Sequence, residues 1–176
     1  MSWTLSLFAG AADEIASRLK SDTDLLALTL QHIRANASVT DNDLAVFRDL
    51  LSAGLNGQWV ADGTTDSLDA LCWLLDFVSE SVTPSQIQCF KSISLLEDTG
   101  LLKYFRAEDS PFPLPRTEKL AGLCGVLLNS KMAAVLHGEE QLEDPPDQNT
   151  RMFRTLLLDL IESLLAERLD LFLVLK

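Results

Sequence analysis

The chain ends on ERLDLFLVLK, Glu167 to Lys176, in which Leu171 to Leu175 are five large apolar residues in succession. As a strand, such a run carries apolar groups on both faces, so it belongs inside a sheet that is covered on both sides. Burying the five side chains contributes on the order of 8–15 kcal/mol before the entropy of ordering them. The opposite end of the chain supplies a partner. Trp3, Leu5 and Leu7 alternate there with Thr4, Ser6 and Phe8 until Gly10 breaks the pattern, which is strand periodicity. Leu123 to Leu128 forms a third short apolar run. The expectation is a small sheet that includes both terminal strands, dressed with about seven helices in an α+β arrangement. Residues 1–176 then make one domain. An all-α bundle with its ends tucked in is the alternative.

Helix signals fill the interval between the ends. Ser21 predicts an N-cap with Asp24 three residues on, opening a helix to about Ala35 that buries Leu25, Leu26, Leu28, Leu30 and Ile33. Thr40 with Asp43 caps the next, whose inner stripe is Leu44, Phe47, Leu50 and Leu51 and which Gly54 stops. Asp66 to Ser81 predicts a strong helix, and Thr83-Pro84 an N-cap followed by proline at the first helical position. SPFPLP, Ser110 to Pro115, admits neither helix nor central strand. It reads as a stiff surface connection, with a possible seam over 107–118. Asn129-Ser130 caps a helix holding Met132 and Val135. Beyond the DPPDQNT loop, a long helix from Arg151 to about Arg168 turns Phe153, Leu156, Leu157, Leu160, Ile161 and Leu164 inward.

Composition narrows function more than fold. Lys plus Arg number 14 and Asp plus Glu 26, a net charge of −12. That field repels phosphate backbones, which argues against nucleic acid, and steers a basic protein partner toward the surface. No run of about 18 uncharged apolar residues is present, so no membrane span is expected. The segment MSWTLSLFAGAADE lacks the positive start of a signal peptide. Three widely spaced cysteines, Cys72, Cys89 and Cys124, each in apolar surroundings, suit reduced thiols of a cytoplasmic protein rather than a zinc site.

The segment LCGVLLNSKMAAVL, Leu123 to Leu136, reads as strand, turn and helix. Set between a strand-first amino terminus and a helix-to-strand ending, it resembles the YfbM-like group of uncharacterised bacterial proteins. The likeness spans most of the chain as architecture and loose pattern. A Trp-x-Leu-His-like element of that group corresponds to Trp73-Leu74-Leu75-Asp76, without the His. The resemblance implies an α+β fold and a bacterial cytosolic origin, and it carries over no catalytic residue.

Catalytic signatures are sparse. No G-x-S-x-G, P-loop, G-x-G-x-x-G or H-E-x-x-H pattern occurs. Of the two histidines, His32 lies late in a helix and His137 suits a helix C-terminal cap. The more suggestive constellation is on the helix over 66–81. One face is Leu68, Leu71, Cys72, Leu75 and Val78; the other carries Asp69, Trp73, Asp76, Phe77 and Glu80. Two aromatics among three carboxylates suit a basic, partly apolar protein partner, unless a neighbouring helix covers the rings. Glu139, Glu140 and Glu143, with Asp144, form a second acidic candidate. The expected function is therefore a non-enzymatic acidic binding protein, with immunity-type neutralisation of a basic bacterial toxin as its concrete form. It uses no cofactor and no metal. An enzyme or small-ligand protein with an unrecognised site is the alternative.

Overall fold

The apolar tail is the interior of the sheet. The structure is a computed structural model that describes residues 3–59, 66–83, 93–115 and 122–176, without the side chains of Ile93 and Glu140. Strand β4 (Asp170–Leu175) pairs antiparallel with β1 (Leu5–Gly10) on one side and with β3 (Leu123–Leu127) on the other. The two-residue β2 (Glu80–Ser81) lies beyond β1, giving the order β2-β1-β4-β3. Leu5 stands opposite Leu175 and Gly10 opposite Asp170. Thr4 and Lys176 extend the ladder with reciprocal backbone hydrogen bonds of 2.6 and 3.0 Å. The two ends of the chain thus lie side by side in a mostly helical α+β fold.

The period of two along each strand sorts the core into two faces. Leu5, Leu7, Ala9, Leu127, Leu171, Leu173 and Leu175 turn to one side. There they meet α6 (Asn129–His137), α7 (Gln148–Glu167) and Leu96 of the short α5 (Ile93–Asp98). Phe8, Val126, Phe172 and Val174 turn to the other side, against α1 (Ala12–Ser21) and α4 (Asp66–Val78). Helix α4 is buried twice over. Its Leu68, Leu71, Cys72 and Leu75 face the sheet, while Ala70 and Leu74 face the hairpin of α2 (Leu25–Asn36) and α3 (Asp41–Leu55).

One junction joins most of these elements. The Asp170 carboxylate accepts the Ala12 amide at 2.7 Å and the Asn129 amide at 2.7 Å, so it receives the first turns of both α1 and α6. The Asn129 side-chain amide donates to the carbonyls of Leu164 at 3.0 Å and Leu169 at 3.2 Å, where α7 ends. Helix termini leave backbone groups unpaired, and here long-range side chains take them.

Several sequence expectations are corrected. Ser21 ends α1, its hydroxyl bonded back to the Ser17 carbonyl at 2.9 Å, and α2 opens after Asp24 without a side-chain cap. Leu28 is 39% exposed instead of buried. Thr40 and Asp43 form the expected capping box. Gly54 lies within α3, where any Cβ would collide with the Trp59 ring, and the positive φ of 75° falls at Gly57. Helix α4 stops at Val78, so Glu80 belongs to β2. The Thr83 hydroxyl accepts the Leu7 amide at 2.7 Å, which ties it to β1; the helix expected from Pro84 lies outside the described residues. Ser110–Pro115 is no surface strap: Phe112 and Leu114 are buried against the sheet, with Phe112 5.7 Å from the Phe172 ring centroid. Asn129 occupies the first turn of α6 as a helical residue, its side chain spent on α7.

Candidate functional site

The α2–α3 hairpin carries His32 to the outward side of α4. There the His32 Nε2–H donates to the Asp76 carboxylate at 2.7 Å, and the Asn36 amide donates to His32 Nδ1 at 3.2 Å. A carboxylate only accepts, so Nε2 is the donor of this pair. The imidazole stands edge-on to Trp73, ring centroids 6.1 Å apart, and 5.5 Å from Phe77. Arg18 from α1 also lies over the Phe77 ring, 5.2 Å from its centroid. Both aromatics are half-buried in the cluster formed by α2, α3 and α4. Asp69, one turn earlier, is ion-paired with Lys176 at the end of β4.

The structure therefore brings Trp73, Asp76 and Phe77 together with His32, and directs Asp69 to the carboxyl-terminal lysine. Glu80 leaves the group, exposed in β2. His32 of the neighbouring helix α2 packs beside both rings and leaves each half-buried. Chemically the cluster is an interhelical clasp. Both imidazole nitrogens have partners within the chain, Nε2 on Asp76 and Nδ1 on Asn36. His32 was missed as Asp76's partner because 44 residues separate them, and no local pattern marks such a pair.

The second acidic candidate lies between α6 and α7. Glu139 opens a 3-10 turn after α6, and Glu143 and Asp144 follow in the connection to α7. All three are exposed, and among the described residues none forms an ion pair. The Glu140 side chain lies outside the described residues. Arg154 secures this connection. It projects from α7, is only 8% exposed, and donates Nη2–H to the Glu143 carbonyl at 2.7 Å; its Nε has no partner among the described residues. Leu142 beside it packs into the main core. Arg154 was missed in the sequence, although it shares the inward spacing of Leu157 and Ile161, where a charge is unexpected.

Thiol chemistry is suppressed at both described cysteines. Burial pushes the Cys72 thiol up to about 11 and the Cys124 thiol up to about 12. Cys124 lines a groove of about 950 Å³ beside Trp59, Phe112 and Leu114, but its Sγ–H is directed at the Pro115 carbonyl, 3.2 Å away. A nucleophilic thiol needs the opposite shift. His137 donates Nδ1–H to the Ala133 carbonyl at 2.6 Å, as a C-terminal cap does. Among the described residues no three His, Cys, Asp or Glu side chains gather as a metal site, and no helix is long and apolar enough to cross a membrane. No family model matches the chain, and neither a curated protein nor a solved structure matches it.

Proposed function

We propose that the chain is an acidic binding protein without a reaction of its own, which captures a basic protein partner. Its concrete form is an immunity-type protein that neutralises a basic toxin in the cytoplasm of a bacterium, the setting that the likeness to the YfbM-like group implies. The observation that carries the reading is the exposed row Glu139, Glu143 and Asp144, free of ion pairs among the described residues and borne on a connection pinned by Arg154. Complementary charge speeds encounter, and a pinned connection loses little freedom on binding. The net charge of −12 acts in the same direction. By contrast Asp69 and Asp76 are already paired within the chain, which makes the α4 face the weaker candidate surface.

The test compares three proteins as bait in bacterial lysate: the wild type, the triple variant Glu139→Gln/Glu143→Gln/Asp144→Asn, and the triple variant Asp69→Asn/Asp76→Asn/Glu80→Gln. A basic protein held by the wild type at low salt should be released near 1 M salt, where the screening length is about 3 Å. It should be lost from the first variant and retained by the second. Growth rescue on co-expression with the recovered protein then examines neutralisation. Equal retention by the first variant sinks the assignment of the surface, and failure to retain any basic protein at low salt sinks the function.

A further inference from the structure

One cleft reverses the charge of the molecule. It lies between the Lys103–Asp109 stretch and helix α6, encloses about 490 Å³, and is separate from the Glu139–Asp144 row. Its rim carries Lys103, Arg106 and Lys131 against one carboxylate, Asp109. With Glu108 paired to Arg106, that is three cations to two anions in a chain whose totals are 14 to 26. Leu127 of β3 and Val135 of α6, both buried, close its floor. Tyr104 forms the wall toward the far end of α6, with the Lys103 ammonium 5.0 Å from its ring. A cavity of several hundred cubic ångströms with an apolar floor and a few convergent polar groups is the usual form of a small-molecule site.

From this arrangement we propose that the cleft binds a small organic phosphate monoester. The phosphate sits between Arg106, Lys131 and the Ser130 hydroxyl, and the organic part lies over Leu127 and Val135 against Tyr104. With Glu108 counted beside Asp109 the rim keeps a surplus of one positive charge, and a guanidinium offers paired donors to phosphate oxygens. Two carboxylates occupy the cations in the free protein. Glu108 accepts from Arg106 Nε at 2.7 Å, and Asp109 accepts from Lys131 Nζ at 2.6 Å. Arg106 and Glu108 remain 55% and 62% exposed, the class of ion pair that holds most weakly, so a phosphate displaces Glu108; Asp109, 17% exposed, stays beside Lys131 and competes with the anion. Asp170 already takes the Asn129 amide, so side chains rather than the α6 backbone receive the anion. The surplus is local, which is why chain-wide exclusion of nucleic-acid backbones and acceptance of one small phosphate are compatible.

Tyr104 is the only tyrosine in the chain, so its ring resonances report on the cleft without assignment by mutation. Titration with phenyl phosphate should shift them saturably. Arg106→Gln and Lys131→Gln should each weaken binding about tenfold, the size expected for losing one charge-assisted contact. Asp109→Asn should tighten binding by removing the competing carboxylate, an effect that a merely structural role would not produce. Lys20→Gln, exposed on α1 outside the cleft, should leave binding unchanged. No saturable shift with phenyl phosphate overturns the proposal, as does equal binding by the wild type and both cation variants. Inorganic phosphate binding as tightly as phenyl phosphate overturns the role of the apolar floor, and phenol binding as tightly overturns that of the cations.

Discussion

The two ends of β4 are held by different physics. At its start, Asp170 accepts backbone amides from α1 and α6 in a partly buried setting, while Asn129 beside it collects the final carbonyls of α7. At its finish, Lys176 adds one backbone pair to Thr4 and an ion pair to Asp69, both of whose side chains remain about 30% exposed. Amides at a helix start have no other partner inside the fold, so the Asp170 junction specifies where three helices begin or end. An ion pair near water replaces good hydration with a similar interaction and decides little. The lesson is that the weight of a charged residue here follows from what it satisfies, and much less from its formal charge.

Removing residues 171–176 breaks the comparison at its root, because the finishing end goes with the whole apolar run of β4 and Asp170 is left without a strand to anchor. Five side chains that are at most 3% exposed lose their burial. At about 1.5–3 kcal/mol each, that sum of about 8–15 kcal/mol matches the whole stability of a typical domain. The expected outcome is no cooperative thermal transition by circular dichroism; an unchanged melting curve refutes the interior placement of the tail. Next in size is Asp170→Ala, which leaves two partly buried amides without their acceptor. A hydrogen bond to a charged group contributes about 1.5–3 kcal/mol, so a loss of about 3 kcal/mol in urea unfolding is expected. Asp170→Asn keeps one good acceptor and should recover part of that loss. A loss below about 1 kcal/mol for the alanine variant would place Asp170 in the same class as Lys176.

Much of the sheet was legible because its determinants are local. An apolar run of five and a period-two amino terminus both require burial, and two such ends can satisfy each other. The Thr40–Asp43 box was legible for the same reason, since both partners lie in one turn. Two residues of β2 are too few to show a period, so Glu80 read as helix. The prolines of Ser110–Pro115 masked a second signal, the alternation of Phe112 and Leu114 that buries both against the sheet. Of the candidate site, the residues on α4 were legible as a group, yet their partners were not. His32, Lys176 and Arg18 reach Asp76, Asp69 and Phe77 from 44 to 107 residues away, and charge or periodicity within a window carries no trace of such pairings. The Asp170–Asn129 junction was hidden likewise.

Alkaline pH sharpens the comparison on the finishing half of β4, where Cys124 stands opposite Val174 and Cys72 packs in the same cluster. Both thiols are raised by burial from the ordinary 9.0, to about 12 and about 11. The folded state therefore favours the neutral thiol, and its contribution is fully present below pH 9.0 and lost as pH rises toward those values. Denaturant midpoints should fall between about pH 9 and 11 in the wild type, and less in Cys72→Ala/Cys124→Ala, once each curve is referred to its own value at pH 7. Identical pH profiles would show that the thiols titrate as in water. Asn129→Ala should have a smaller effect, about 1–2 kcal/mol, because it removes neutral hydrogen bonds to carbonyls that water at the end of α7 can partly replace.

The smallest effect is expected at Lys176. Lys176→Met and Asp69→Asn, with the double variant, close a cycle whose coupling should be at most about 1 kcal/mol and should shrink as salt is raised. The methionine retains the apolar stem along the surface, so the cycle isolates charge from packing. The same argument sets what a contrary result would mean. A coupling of about 3 kcal/mol that survives high salt is the signature of a pair withdrawn from water. Asp69 and Lys176 would then act as a second junction, fastening α4 to the sheet as Asp170 fastens α1 and α6, and the asymmetry between the two ends of the strand would disappear.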